Sequence, residues 1–395
     1  MTTLPAAVLQ YTGAEELSVP GSLAARLVER SHALAGSGMP LGVALAASFD
    51  LLVAARFYEQ TKPENWLWCE RSNLDIYPFL NACPACVLEH RFVHHDGNKP
   101  ESGAIGPITA GVLRRVLVEH YRLTGKAVRV ATGREPVDLA VIDYGARTAF
   151  LAEVKASPLF TPPLATPHTA EHFQATSVAP LSHSRGILRD MAERDIMLVT
   201  PGASGQKHLW PLRRTGLGRS GWSEVALADG IAAEPAALER YVRSWAHMWA
   251  LYLARDRSDP AFWFTGACGL PASPGPAWPK AASGKPRGSV SDSKTSVGMD
   301  RTDDIKKSTF QVLNLGVAVR RQEKDGWQIK VGLASNLHAG RHYADYLAQY
   351  EDVAWGWLTA GAKTPAEWYN LFDGVVAFSE SHTRDAWLRG VLDWH

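Results

Sequence analysis

Cysteine is scarce in this chain, with four among 395 residues. An excess of charge is missing too: 41 basic residues meet 40 acidic ones, leaving a net +1. Composition alone therefore does not point to a polyanionic partner. No stretch approaches the ~20 consecutive apolar residues that cross a bilayer, so no membrane partner is expected. The opening Met1-Thr2-Thr3-Leu4 lacks the charged start of a secretory leader. That points to the cytoplasm and away from disulfides. A phosphate-cradling GxxxxGK[ST] loop is absent, which disfavours an enzyme driven by an ATPase motor. No internal repeat is evident.

Hydrophobic residues make up 46% of the chain, enough to bury a sizeable core in two or three domains or in one elaborated domain. Residues 1–60 read as a helical N-terminal region, strongest at 22–28 and 41–47. Residues 61–98 hold a small module rich in cysteine and histidine. Helix and strand patterns alternate over 99–270. Residues 271–299 are dense in Pro, Gly and Ser and read as a flexible linker or loop. Residues 300–395 form a C-terminal α/β region, with a helix through Phe310–Leu313 and an apparent hairpin from 317–320 and 327–331. Charge is locally uneven. Lys280 to Lys330 carry eleven basic and six acidic residues, and Gly106 to Glu135 carry six and two. Such clusters are usually solvated faces, but a local basic surface binds phosphate even on a neutral protein.

The most informative segment is Pro136-Val137-Asp138-Leu139-Ala140-Val141-Ile142-Asp143, followed by Phe150-Leu151-Ala152-Glu153-Val154-Lys155. It reads as two strands joined by a turn at Tyr144-Gly145-Ala146-Arg147. Folding them as a hairpin sets Asp138 opposite Glu153 and Val154. Glu153 and Lys155 are two apart and share a face. An unpaired carboxylate inside runs this apolar is costly, so the charges call for a metal or a mutual ion pair. Two carboxylates beside an ammonium are suited to hold Mg²⁺ against a phosphate and to activate a water. The competing reading is an edge hairpin with a Glu and a Lys on its wet face.

Pro136-Val137-Asp138, fourteen intervening residues and Glu153-Val154-Lys155 resemble the motif of the PD-(D/E)XK nuclease superfamily, and of type II restriction endonucleases in particular. The chain departs from the pattern at Val137, which separates the proline from the aspartate. The resemblance implies an α/β (α+β) fold with residues 99–270 as the restriction-endonuclease-like nuclease core, a central mixed β-sheet flanked by helices. It also implies Mg²⁺ held by Asp138, Glu153 and the Val154 carbonyl, with Lys155 acting on the attacking water. A helix over Pro107–Tyr121, with Pro107 in its first turn and Gly125 as its stop, fits the first helix of such a core. Its Glu119 is the further metal-site candidate, against the alternative of a solvated helix-face charge. The core sheet is completed either by the strand at 195–200 or, across a long insertion, by elements after 300.

Cys69, Cys83 and Cys86, with the Cys83-Pro84-Ala85-Cys86 pair, have spacings that close a tetrahedral structural Zn²⁺ site. His90 is the expected fourth ligand, with His94 and His95 as alternatives; buried free cysteines are the competing reading. Lys294, Arg301, Lys306 and Lys307 gather around an expected helix N-terminus and are candidates for DNA phosphate contacts. Together these features predict a Mg²⁺-dependent, sequence-specific endonuclease acting on double-stranded DNA. A homodimer is expected, because a two-fold site is cut most simply by a two-fold enzyme. A cognate DNA methyltransferase would be its functional counterpart. The alternatives are a repair or recombination nuclease of the same superfamily and a non-catalytic zinc-containing DNA-binding protein.

Overall fold

Apolar residues on both faces of two neighbouring strands set the architecture. In the computed structural model, helices lie at Leu23–Gly36 (α1), Leu41–Tyr58 (α2), Ser102–Thr124 (α3), Trp222–Ala233 (α4), Pro235–Ala254 (α5) and Thr302–Arg320 (α6). Strands run over Thr12–Glu15 (β1), Leu67–Cys69 (β2), Leu74–Tyr77 (β3), Val128–Gly133 (β4), Leu139–Asp143 (β5) and Thr148–Val154 (β6). They continue with Leu164–Pro167 (β7), Asp195–Pro201 (β8), Lys207–Arg214 (β9), Gln328–Ser335 (β10), Gly374–Ala377 (β11) and His382–Thr383 (β12). The structure describes residues 4–62, 65–168, 195–202, 206–214, 219–266, 269–290, 297–322, 326–358, 360–392 and 394.

The principal sheet is mixed, seven-stranded among the described residues, in the order β1-β4-β5-β6-β10-β11-β12. β4, β5 and β6 form an antiparallel meander, whereas β10 runs parallel to both β6 and β11. Leu139, Val141, Phe150 and Ala152 face a core that includes Val112, Leu113, Val116 and Leu117 of α3. Ala140, Ile142, Ala149 and Leu151 face the opposite core, with Ile305, Val312, Leu315 and Val319 of α6. Strands covered on both faces read as continuous apolar runs, which is the pattern of 139–142 and 149–152. The β5–β6 turn falls where the sequence placed it. Asp143 pairs with Thr148, and the Ala146 amide donates to the Asp143 carboxylate at 2.9 Å.

The strand at 195–201 does not continue this sheet. It belongs to a second, antiparallel sheet of order β2-β3-β7-β8-β9. Strands from both sides of residue 98 share that second sheet, so β2 and β3 pack with β7, β8 and β9 as one unit. β10 therefore continues the β4–β6 meander, and α6 precedes it. Val317–Arg320 form no strand, because they are the last turn of α6. Val312, Leu315 and Val319 recur at helical spacing and fill the groove over β10, which outweighs the strand preference of the valines.

α3 begins at Ser102, five residues before Pro107, so the proline lies inside the helix rather than at its start. Gly125 ends the helix in the left-handed region at φ 69°, a conformation natural to glycine. α2 is long and apolar enough, by length and composition, to cross a membrane, yet 83% of it is buried within the fold. Counting uninterrupted apolar residues overlooks it because Asp50 and Arg56 break the run. Segment 271–290 is pinned rather than free: Trp278 and Val290 are buried, and the Trp278 indole donates to the Arg287 carbonyl at 3.0 Å.

Candidate active site

Asp138, Glu153 and Lys155 meet where β5 begins and β6 ends. The Asp138 amide donates to the Ala152 carbonyl at 3.0 Å, extending the hairpin one residue beyond β5. The Val154 amide then donates to Asp138 Oδ2 at 3.0 Å, in place of a backbone partner. Within a strand a residue's N–H and C=O share one side, so the Val154 carbonyl lies along the same edge as Asp138. Arg114 of α3 donates from Nη1 to the Asp138 carbonyl at 2.9 Å and fixes the strand's entry. Gly133 lies against this entry so closely that a Cβ would fall 2.0 Å from the Val137 carbonyl oxygen.

Glu153 is 4% exposed and forms an ion pair with Lys155. Burial, and then the neighbouring Asp138 charge, push its pKa up to about 7, and Lys155 opposes the rise. One ammonium thus does not balance two adjacent carboxylates, and a divalent cation suits the remaining negative charge.

The chain leaving Lys155 is held by a buried network. The Lys155 amide donates to the Ala334 carbonyl at 3.0 Å. The Asn336 side chain accepts from the Ser157 amide at 3.1 Å and donates to the Ser157 carbonyl at 2.9 Å. Asp50 of α2, fully buried, accepts from the Phe160 amide at 2.9 Å and the Trp245 indole at 2.7 Å. Its pKa rises to about 8, chiefly through burial. Neither Asp50 nor Asn336 was singled out from the sequence. Asp50 was detectable by the same signal as Asp138, a lone carboxylate in an apolar run.

Glu119 has other partners. Its buried carboxylate accepts from Ser18 Oγ at 2.9 and 3.0 Å, the Val19 amide at 3.1 Å and Arg122 Nε at 2.7 Å. Those bonds satisfy it without a metal. Glu119 and Arg114 are five residues apart, about 140° around the helix, so the side that meets Asp138 is not the side that carries Glu119.

Cys69, Cys83 and Cys86 form a buried trio whose sulfurs lie within 4.8 Å of one another, a group that could hold a metal ion. The Cys69 and Cys86 sulfurs are 3.8 Å apart. Metal–sulfur bonds of about 2.3 Å in a tetrahedron give that same separation of about 3.8 Å. Hydrogen bonds from Cys83 and Cys86 lower the Cys69 pKa, and those two thiols are raised, first by their bonds to Cys69. His90 does not join them: it is exposed, at φ 56°, in the turn that follows the short helix Pro84–Val87. His94 packs edge-on against Trp278, and the His95 Nδ1 lies 2.9 Å from the Asp96 carbonyl. Ser72 stands three residues after Cys69, as Cys86 stands three after Cys83. Its hydroxyl oxygen is buried without a well-formed hydrogen bond, yet close enough to Cys69 to favour the thiolate. The fourth cysteine, Cys268, lies outside the described residues.

α6 starts at the same end of the sheet as the carboxylates. The Gly298 amide donates to the Ser157 carbonyl at 2.9 Å, and the Met299 amide to Leu337 at 3.1 Å. Arg301, Lys306 and Lys307 on this helix start are exposed. Arg301 lies 3.9 Å from Asp303, and Lys306 Nζ lies 5.8 Å from the Tyr346 ring centre. Lys294 falls outside the described residues. No known family, curated protein or solved structure matches the chain.

Proposed function

We propose that this protein is a Mg²⁺-dependent endonuclease of PD-(D/E)XK type that hydrolyses double-stranded DNA in the manner of type II restriction enzymes. The observation that carries this reading is the convergence of Asp138, Glu153 and Lys155 at one strand end. The order α3-β4-β5-β6, resumed by α6-β10 after β7–β9, α4 and α5, gives three antiparallel strands and then a parallel fourth, and supports a restriction-endonuclease-like core around them. Asp138, Glu153 and the Val154 carbonyl are the residues that would hold Mg²⁺. When bound, that ion supplies Lewis-acid polarisation of the phosphate and a more acidic water. Lys155 orients the water and offsets the negative charge that builds on the phosphate as the 3′-oxygen leaves, giving 3′-hydroxyl and 5′-phosphate ends. Asn336 and Asp50 hold the backbone that presents Lys155. Arg301, Lys306 and Lys307 are placed to meet the phosphate backbone near the cut, and two chains would act on a two-fold site.

Zinc suits the thiolate trio, which would hold it, and the buried Ser72 hydroxyl rather than His90 is the further polar group beside Cys69. Three thiolates and no ready exchange site fit a structural ion that ties β2 and β3 to the Pro84–Val87 turn. Incubation of mixed-sequence plasmid with the protein in Mg²⁺ and in EDTA tests the reading. Discrete Mg²⁺-dependent fragments support a restriction enzyme, and a smear supports a nonspecific nuclease of the same kind. DNA that is bound but never cut overturns the catalytic reading in favour of a binding protein.

A further inference from the structure

A second group of ligand-type side chains lies apart from the carboxylate pair and the thiolates. His338 follows β10, Glu380 lies in the turn between β11 and β12, and His382 opens β12. One ligand atom from each lies within 4.8 Å of the others. His338 is 2% exposed, and its Nε2 is buried without a partner. Leaving a buried nitrogen without a partner is costly unless something binds it.

His382 is oriented by its neighbours. Its Nδ1 lies 3.1 Å from the Tyr343 hydroxyl, and Tyr343 donates to Glu351 Oε2 at 3.0 Å. With its one proton directed to Glu351, the tyrosine oxygen accepts, and Nδ1 carries the imidazole proton. Nε2 is then the ring's ligand nitrogen, and it lies 3.0 Å from Glu380 Oε1. Two acceptors at that distance repel unless a cation or a proton lies between them. A ligating histidine whose other nitrogen is anchored in this way is the usual arrangement at protein metal sites. His338 stacks on His382 with ring centres 4.6 Å apart, which sets one of its nitrogens among the same ligand atoms. Of the three, His382 also lines an open surface pocket, together with Glu351, Asp373 and Arg384.

We propose that His338, His382 and Glu380 bind a divalent transition metal of the Zn²⁺, Co²⁺ or Ni²⁺ kind. Two imidazoles select against Mg²⁺ and Ca²⁺, which take oxygen ligands. Such an ion would join the exit of β10 to the β11–β12 hairpin, independently of DNA cleavage.

The test is a Co²⁺ titration of the metal-stripped full-length protein in excess Mg²⁺, which occupies the carboxylate pair. Cobalt on nitrogen and oxygen ligands shows only weak visible bands, whereas thiolate-bound cobalt adds strong near-ultraviolet charge transfer. The expected result is an equivalent of Co²⁺ with visible bands alone, retained in Cys83→Ser and lost in His382→Ala. Glu380→Gln alters an exposed side chain and should weaken this equivalent by about tenfold or more while the fold stays intact. Absence of that equivalent in the wild type would mean that a proton alone bridges His382 and Glu380, and would overturn the proposal. So would its persistence in His382→Ala.

Discussion

Replacing Glu153 with glutamine isolates the electrostatics of the candidate active site. The carboxyl's pKa stands at about 7 in the folded protein, against an ordinary 4.5. Between those values the folded protein holds a proton that the unfolded chain has released. Stability therefore falls as pH rises through this window. The full gap corresponds to at most about 3 kcal/mol above neutral pH. Glutamine keeps the shape and removes the charge, but it also leaves Lys155 without its partner. The ammonium is partly exposed and beside Asp138, so that loss subtracts only part of the gain. Glu153→Gln in EDTA should be about 1–3 kcal/mol more stable than wild type at about pH 8, and nearly equal to it at about pH 5. Thermal or urea unfolding of both proteins at the two pH values reads this directly, as a shift of a few degrees in Tm. Added Mg²⁺ should stabilise the wild type at the higher pH and leave the variant unmoved. A variant that is no more stable than wild type at the higher pH would refute the electrostatic account of the buried pair. A wild type indifferent to Mg²⁺ would refute the metal assignment separately.

Asp138→Ala and Lys155→Ala should each abolish plasmid cleavage with DNA binding retained in a gel-shift assay; near wild-type cutting by either would remove that residue from the site. Glu119→Ala should leave the cleavage rate unchanged and lower stability by about 1–3 kcal/mol through the lost bonds to Ser18, Val19 and Arg122; a large loss of rate with unchanged stability would return it to the metal site. Cys83→Ser should lose one equivalent of bound zinc relative to wild type by elemental analysis and His90→Ala should lose none, while Ser72→Cys, adding a fourth thiolate, should hold that equivalent against chelator longer than wild type; loss of the equivalent in His90→Ala would restore the histidine. Lys306→Ala should weaken cognate and scrambled duplexes alike and reduce the salt slope of binding by ~0.9; an unchanged slope would place the lysine away from DNA.

Local chemistry made some of this legible without coordinates. The hairpin, its turn and the meeting of Asp138, Glu153 and Lys155 follow from strand alternation over a short loop, where few other pairings are available. The cysteine trio follows from spacing in the same way. Position around a helix was harder to read: Glu119 sits on the expected helix but on a side that meets the chain at Ser18. His90 has a suitable spacing from Cys86, yet the turn after Pro84–Val87 carries it to the surface.

The sequence by itself determined which strands are buried on both faces, because continuous apolar runs have no wet side to offer. It also determined which side chains cannot be buried without a charge partner. Which later strand stands beside β6 was decided only in three dimensions. β8 and β10 are both apolar enough for the place, and the choice depends on contacts some 180 residues apart in the chain, such as Ser157 with Asn336. The same long-range closure brings Asp50 beneath the exit of Lys155 and His338 against His382, pairings that no local pattern encodes.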